Sequence, residues 1–171
     1  DAAEAGRHLI LVRSLTKFYA VPGLRIGYGI MAPERVREIE NRRIPWSVNT
    51  LAQKVGAELL KCADYARQAR ECVERERHFL LQRLQAFTTL EIFPSSANFI
   101  LFRLKNGDEQ EAAKLYTFLL HRGVVLRNCG NFTGLTRSFF RTAVRNRAEN
   151  AALLENLEQY YCGKIVDWKW I

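Results

Sequence analysis

Histidine and cysteine are scarce in this chain, with three and four among 171 residues. His8, His78 and His121 stand far apart, and none opens an HExxH pattern. Cys62, Cys72, Cys129 and Cys162 form no CxxC pair and have no histidine cluster beside them. That pattern argues against a zinc site and a disulfide framework, so reduced structural thiols and no metal are expected. Long hydrophobic runs are lacking as well: nothing approaches the ~20 apolar residues of a membrane span. The opening DAAEAGRH has neither the basic start nor the apolar centre of a secretory signal. A cytoplasmic location and no membrane partner follow as expectations. Also missing are a P-loop GK[ST], a G-x-S-x-G elbow, paired acids, internal repeats and low-complexity tracts.

What remains is the composition of a globular protein, 48% hydrophobic and 26% charged, long enough to bury a core. Its net charge of +8 would suit either nucleic acid or small phosphorylated ligands. The densest basic stretch, residues 67–83, interleaves Arg67, Arg70, Arg75, Arg77 and Arg83 with Glu71, Glu74 and Glu76. Mixed signs at helical spacing read as a solvated helix face rather than a nucleic-acid stripe.

Along the chain, residues 8–13 and 24–32 read as buried strands, and residues 33–43 as a helix entered at Pro33 and broken before Pro45. A helical period runs over 47–87, capped by Ser47, as one bent helix or two abutting ones. Strands follow at 90–93 and 97–104, and a helix at 109–122 opens on Asp108 with Glu111 and ends at Gly123. Residues 124–128 and 138–144 read as strands, and a last helix starts at Asn146 with Glu149 and runs to about Tyr161. A tail with Trp168 and Trp170 is expected to pack somewhere. The fold class is therefore α/β, with residues 1–57 belonging to one domain. That domain is the large one, of which residues 1–57 are the C-terminal part, and residues 58–171 are the small C-terminal α+β domain, joined by the long helix.

Gly27, Gly29 and Ala32 spell G-x-G-x-x-A, but they sit inside an apolar run with no acid some 20 residues on. They read as close-packing positions in a strand. More specific is SLTKFYAVPGLRIGY, residues 14–28. A lysine that forms a Schiff base with pyridoxal 5′-phosphate needs a phosphate anchor nearby, and short hydroxyls with an arginine fork provide one. Ser14, Thr16 and Arg25 flank Lys17, and Pro22-Gly23 can bend the chain so that Arg25 returns.

S-L-T-K-x7-R-I-G resembles the lysine signature of the aspartate-aminotransferase superfamily, the fold-type I enzymes that depend on pyridoxal 5′-phosphate. The resemblance implies that Lys17 carries the cofactor and that Ser14, Thr16 and Arg25 hold its phosphate. It continues through PSSANFILFRL and FFRTAVRNRAEN to about residue 161. Within the superfamily, histidinol-phosphate aminotransferase and threonine-phosphate decarboxylase of the cobalamin pathway look nearest. PWSVN and LRNCGNFTGLTRSFFRTAVR favour the decarboxylase branch, in which Arg127 and Arg141 would bind the anionic end of the substrate. The implied reaction converts L-threonine O-3-phosphate to (R)-1-amino-2-propanol O-2-phosphate. Transamination of histidinol phosphate is the alternative, and a basic binding module a weaker one. Family members are homodimers and longer; their N-terminal part supplies a further phosphate turn, a ring stacked on the cofactor and an aspartate on its pyridine nitrogen. These 171 residues alone are thus expected to bind cofactor poorly and turn over little.

Overall fold

The computed structural model describes residues 9–166, so His8 and the Trp168–Trp170 tail lie outside the described residues. The chain divides into two compact units between Ala66 and Arg67.

In the first unit, β1 (Leu11–Ser14) pairs antiparallel with β2 (Gly27–Ile30), Leu11 opposite Ile30 and Ser14 opposite Gly27. Two helices follow, α1 (Pro33–Arg42) and α2 (Thr50–Leu59). Pro33 suits the first turn of α1 because its missing N–H would have no helical partner there. The start of α2 corrects the expected cap: Asn49, not Ser47, closes it, its Oδ1 accepting from Ala52 N–H at 2.8 Å. Ser47 lies in a non-helical bend just past Trp46, whose φ is 57°, too early to reach the orphan donors. The two strands also differ from expectation, since Val12 is 76% exposed and Ile30 43%. Apolar side chains on both faces of a strand express a demand for cover on both sides. A two-stranded ladder does not meet that demand by itself.

The second unit is built on a four-stranded antiparallel sheet in the order β3-β4-β6-β5. Its strands are β3 (Leu90–Ile92), β4 (Phe99–Leu104), β5 (Arg127–Asn128) and β6 (Phe139–Ala143). The helices are α3 (Ala63–Gln85), which starts in the first unit, α4 (Glu109–His121) and α5 (Arg147–Val166). The expected long helix is thus two, parted at Leu60–Cys62. Strand β5 is shorter than expected because Gly123, at φ 75°, turns the chain and Val124 N–H bonds back to the Leu119 carbonyl. Ile100, Phe102, Leu104 and Phe140 point to one side and pack with Leu80 and Leu84 of α3, Leu115 and Leu119 of α4, and Leu154 and Leu157 of α5. The alternate residues Leu101, Arg103, Phe139 and Arg141 lie on the opposite face.

Helix starts follow the sequence. Asp108 Oδ1 accepts from the N–H groups of Gln110 and Glu111, and Asn146 Oδ1 accepts from Glu149 N–H. The Glu111 carboxylate accepts from the Tyr160 hydroxyl at 2.6 Å, tying the start of α4 to α5.

Helices α3 and α5 are also joined by charge. Glu76, with a side chain only 5% exposed, accepts from Arg147 Nε at 2.8 Å and Nη2 at 3.2 Å, and from Arg75 Nε at 3.2 Å. The Arg147 hydrogen bonds hold the Glu76 carboxyl below its ordinary value, outweighing the opposing effect of burial, and Arg75 adds to the lowering. A lowered carboxyl contributes stability that is complete above its unfolded pKa and is lost as pH falls through the folded one. Thermal unfolding of wild type and Glu76→Gln should therefore differ most near neutral pH. The difference should shrink as pH falls below about 4; a gap independent of pH would sink the assignment.

Candidate functional site

Strand β1 ends at Ser14, and the chain then makes tight turns before β2. The Leu15 carbonyl accepts from Tyr19 N–H, Thr16 from Val21 and Lys17 from Ala20. Pro22–Leu24 forms a single 3-10 turn, and Arg25 follows in the left-handed region with φ 49° and ψ 60°. A non-glycine residue held there is strained, and the surroundings must fix it. Leu15 N–H bonds to the Ile26 carbonyl at 3.1 Å, closing the loop.

Closure brings Arg25 back to the end of β1. Ser14 Oγ and Thr16 Oγ1 lie 2.8 Å apart. Ser14, Thr16 and Arg25 line one open pocket of about 450 Å³, together with Arg13, Gly27 and Tyr28. Thr16 is buried at 4% exposure, whereas Lys17 is exposed and is not among the residues lining the pocket. Two glycines make the arrangement possible. A Cβ on Gly27 would stand 2.6 Å from the Arg13 carbonyl oxygen, and one on Gly56 of α2 would meet Ile26 Cδ1 at 2.5 Å. Gly27 and Gly29 thus lie within β2, not in a dinucleotide-binding turn.

Arg127 and Arg141 belong to the second unit, in which they face each other directly across the β5–β6 ladder. Like charges placed opposite are unfavourable. On the same side of the sheet Arg103 is neutralised by Glu91 at 2.6 Å, but neither Arg127 nor Arg141 pairs with a carboxylate among the described residues. Arg141 lies over the Phe99 ring at 4.7 Å, Arg127 over Phe132 at 5.6 Å, and Arg127 Nη2 donates to Asn131 Oδ1 at 2.9 Å. Both guanidinium groups are thus oriented by rings and, for Arg127, by an amide oxygen.

The loop between β5 and β6 is ordered by its own bonds. Asn128 Nδ2 donates to the Arg137 carbonyl at 2.7 Å, its Oδ1 accepts from Gly130 N–H, and a Cβ on Gly130 would meet Arg137 Cγ at 2.7 Å. Cys129 is buried at 2% exposure and unpaired. Burial pushes its thiol up, although the charges of Arg141 and Arg127 act in the other direction. Cys62, Cys72 and Cys162 are exposed, so only Cys129 is the packed thiol that the sequence suggests.

Sequence reasoning missed Gly56, which lets α2 press on the loop. It also missed Tyr65, whose hydroxyl donates to the Phe18 carbonyl from 47 residues away. Neither contact leaves a local signal.

The aminotransferase class I and II family description matches residues 1–157, and the chain belongs to that family. Its fold is the fold type I of the pyridoxal-phosphate-dependent aminotransferases. The chain is 39% identical over 153 residues to a protein of Caldanaerobacter subterraneus subsp. tengcongensis that carries the name threonine-phosphate decarboxylase provisionally. It is 33% identical over 163 residues to threonine-phosphate decarboxylase of Salmonella typhimurium. These alignments take in 90% and 95% of this chain but 41% and 44% of the relatives, so the chain spans less than half their length. Among solved structures it is similar to histidinol-phosphate aminotransferase of Clostridium acetobutylicum, with TM-score 0.84 and 32% identity over 94% of this chain and 48% of that one. Members of the family depend on pyridoxal 5′-phosphate.

Gly27→Ala tests the closure. Its Cβ would collide with a backbone carbonyl that has little room to yield, so a loss of about 1–3 kcal/mol is expected. Faster amide exchange at Leu15 would report it, and unaltered exchange would show that the loop does not depend on this approach.

Proposed function

We propose that this chain supplies the lysine, the phosphate contacts and the substrate-binding arginines of a pyridoxal 5′-phosphate enzyme acting on a small phosphorylated amino acid. The observation that carries the reading is the convergence of Ser14, Thr16 and Arg25 on one pocket immediately before Lys17. Two hydroxyls and a guanidinium are the donor set a phosphate ester requires, so the residues fit the cofactor. When bound, pyridoxal 5′-phosphate supplies an electron sink for a bond broken at the substrate Cα. Ser14 and Thr16 would donate hydrogen bonds to its phosphate, and Arg25 would add charge. Lys17 Nζ would be the covalent anchor of the cofactor and, beside the substrate Cα, would hold or move the proton there. Arg127 and Arg141 fork onto the substrate's carboxylate or phosphate and fix its orientation.

Of the two reactions, decarboxylation of L-threonine O-3-phosphate is our reading, supported by the 39% and 33% identity to proteins carrying that name. Transamination of histidinol phosphate is the second, favoured by the TM-score of 0.84 to an enzyme of that name. In the first, Lys17 would supply a proton to Cα; in the second it would take one away. A homodimer and a cytoplasmic location complete the proposal and rest on family likeness alone.

With full-length protein, carbon dioxide release from threonine phosphate separates the first reaction from amino transfer to 2-oxoglutarate, which marks the second. Lys17→Ala should abolish borohydride trapping of the cofactor and lower turnover by about 10²–10⁴-fold. Trapping that survives the substitution would refute the assignment. Arg141→Gln should raise KM about tenfold or more, in keeping with a lost charged fork of about 1.5–3 kcal/mol. An unchanged KM would remove Arg141 from the substrate site.

A further inference from the structure

Three turns of hydrogen bonding hold Leu15, Thr16 and Lys17, but the next carbonyl, that of Phe18, is fixed from a different element. Tyr65, on the first turn of α3, donates its hydroxyl to that carbonyl at 3.2 Å. Its ring stacks on Tyr19 at 5.5 Å with a 22° interplanar angle and meets Phe18 edge-on at 6.3 Å. Phe18 and Tyr19 in turn contact each other edge-on at 5.0 Å. Lys17 therefore lies between two anchors: buried Thr16 on one side and this aromatic cluster on the other.

We propose that Tyr65 is a positioning residue for Lys17, setting where its amine sits relative to the pocket lined by Ser14, Thr16 and Arg25. This rests on Lys17 being the residue that attaches the cofactor. The physical reason is leverage. A lysine side chain has many rotamers, so its reach is defined only as well as the backbone that bears it. Tyr65 restrains Phe18 in two ways, through its hydroxyl on the carbonyl and through its ring against the Phe18 ring. Tyr65 is itself 45% exposed, so a role in filling the core does not account for it. Helix α3 continues from Tyr65 into the second unit, so the helix bearing this anchor is the same one whose Leu80 and Leu84 join that unit's core.

Tyr65→Phe removes the hydrogen bond and keeps the ring; Tyr65→Ala removes both. In full-length protein without cofactor, amide exchange across residues 15–21 should rise about threefold to tenfold in the Phe variant. It should rise about tenfold to a hundredfold in the Ala variant. With cofactor added, the rate at which borohydride-reducible pyridoxal phosphate forms on Lys17 should fall in the same order. Turnover of threonine phosphate, or of histidinol phosphate with 2-oxoglutarate, should lose kcat with KM changed less than about twofold, the mark of lost positioning rather than lost binding. If Lys17→Ala leaves trapping intact, the reading of Lys17 falls and this proposal with it. If Lys17→Ala abolishes trapping while Tyr65→Ala keeps wild-type exchange and trapping rate, only the positioning role falls. Should the Ala variant fail to fold, the Phe variant, which preserves the ring, decides by exchange and trapping alone.

Discussion

The hydrogen bond from Leu15 N–H to the Ile26 carbonyl is the constraint on which the candidate site depends. It pins both ends of the loop, and the residues between must complete their reversal in the space left. That forces Arg25 into the left-handed region and Ala20, at φ 53°, into the same kind of conformation. The strain is local and is held by what surrounds it: the β1–β2 ladder on one side, Gly56 of α2 against Ile26 on another. What it achieves is proximity, since Arg25 lies eleven positions from Ser14 along the chain yet lines the same pocket. A phosphate ester meeting that pocket would find its donors already assembled, with little ordering left to be done on binding.

The second unit solves a different problem with the same residue type. One face of its sheet is fully engaged by three helices, and the buried side chains there leave no room for charge. Charge on the sheet is therefore displaced to the other face, where strand alternation puts Arg103 and Arg141 on β4 and β6 in turn. The two are not alike. Arg103 has a carboxylate across the ladder in Glu91, while Arg141 has another arginine, Arg127, across from it. Elsewhere arginines meet acids, as in Arg35 with Glu38, Arg67 with Glu71 and Arg83 with Glu158. Others are held differently: Arg77 donates to the Ser96 and Ala97 carbonyls, and Arg122 lies over the Phe118 ring.

Much of this was legible in the sequence, for reasons that differ by feature. The helix starts at Asp108 and Asn146 were readable because capping is a short-range matter of one oxygen and one nearby N–H. The α2 start was misread by two residues, since Ser47 and Asn49 are both competent caps and only the φ of 57° at Trp46 separates them. Strand positions were readable as short apolar runs, but their burial was not. Val12 and Ile30 carry the apolar pattern of covered strands and are exposed, because a pattern states what a side chain demands and not whether a neighbour meets it. The convergence of Ser14, Thr16 and Arg25 was readable because a single loop holds them. Tyr65 and Gly56 were not, because their meaning exists only once α2 and α3 have docked on that loop.

The opposition of Arg127 and Arg141 marks the boundary between these kinds of legibility. Each arginine was visible as a candidate, yet their register is set by the β5–β6 ladder, and that depends on how the intervening loop closes. Cys129 N–H bonds to the Phe139 carbonyl, and Asn128 bridges to Arg137 and Gly130, so the loop is fixed by contacts between its own ends. A one-residue slip there would turn Arg127 to the opposite face of the sheet and leave Arg141 alone. The two facing guanidinium groups are held in place by the loop's bonds and by the rings of Phe99 and Phe132. Two guanidinium groups set opposite one another by the fold would meet an anion with little reordering left to do, and that preorganisation is the physical ground on which the pair is proposed as a site.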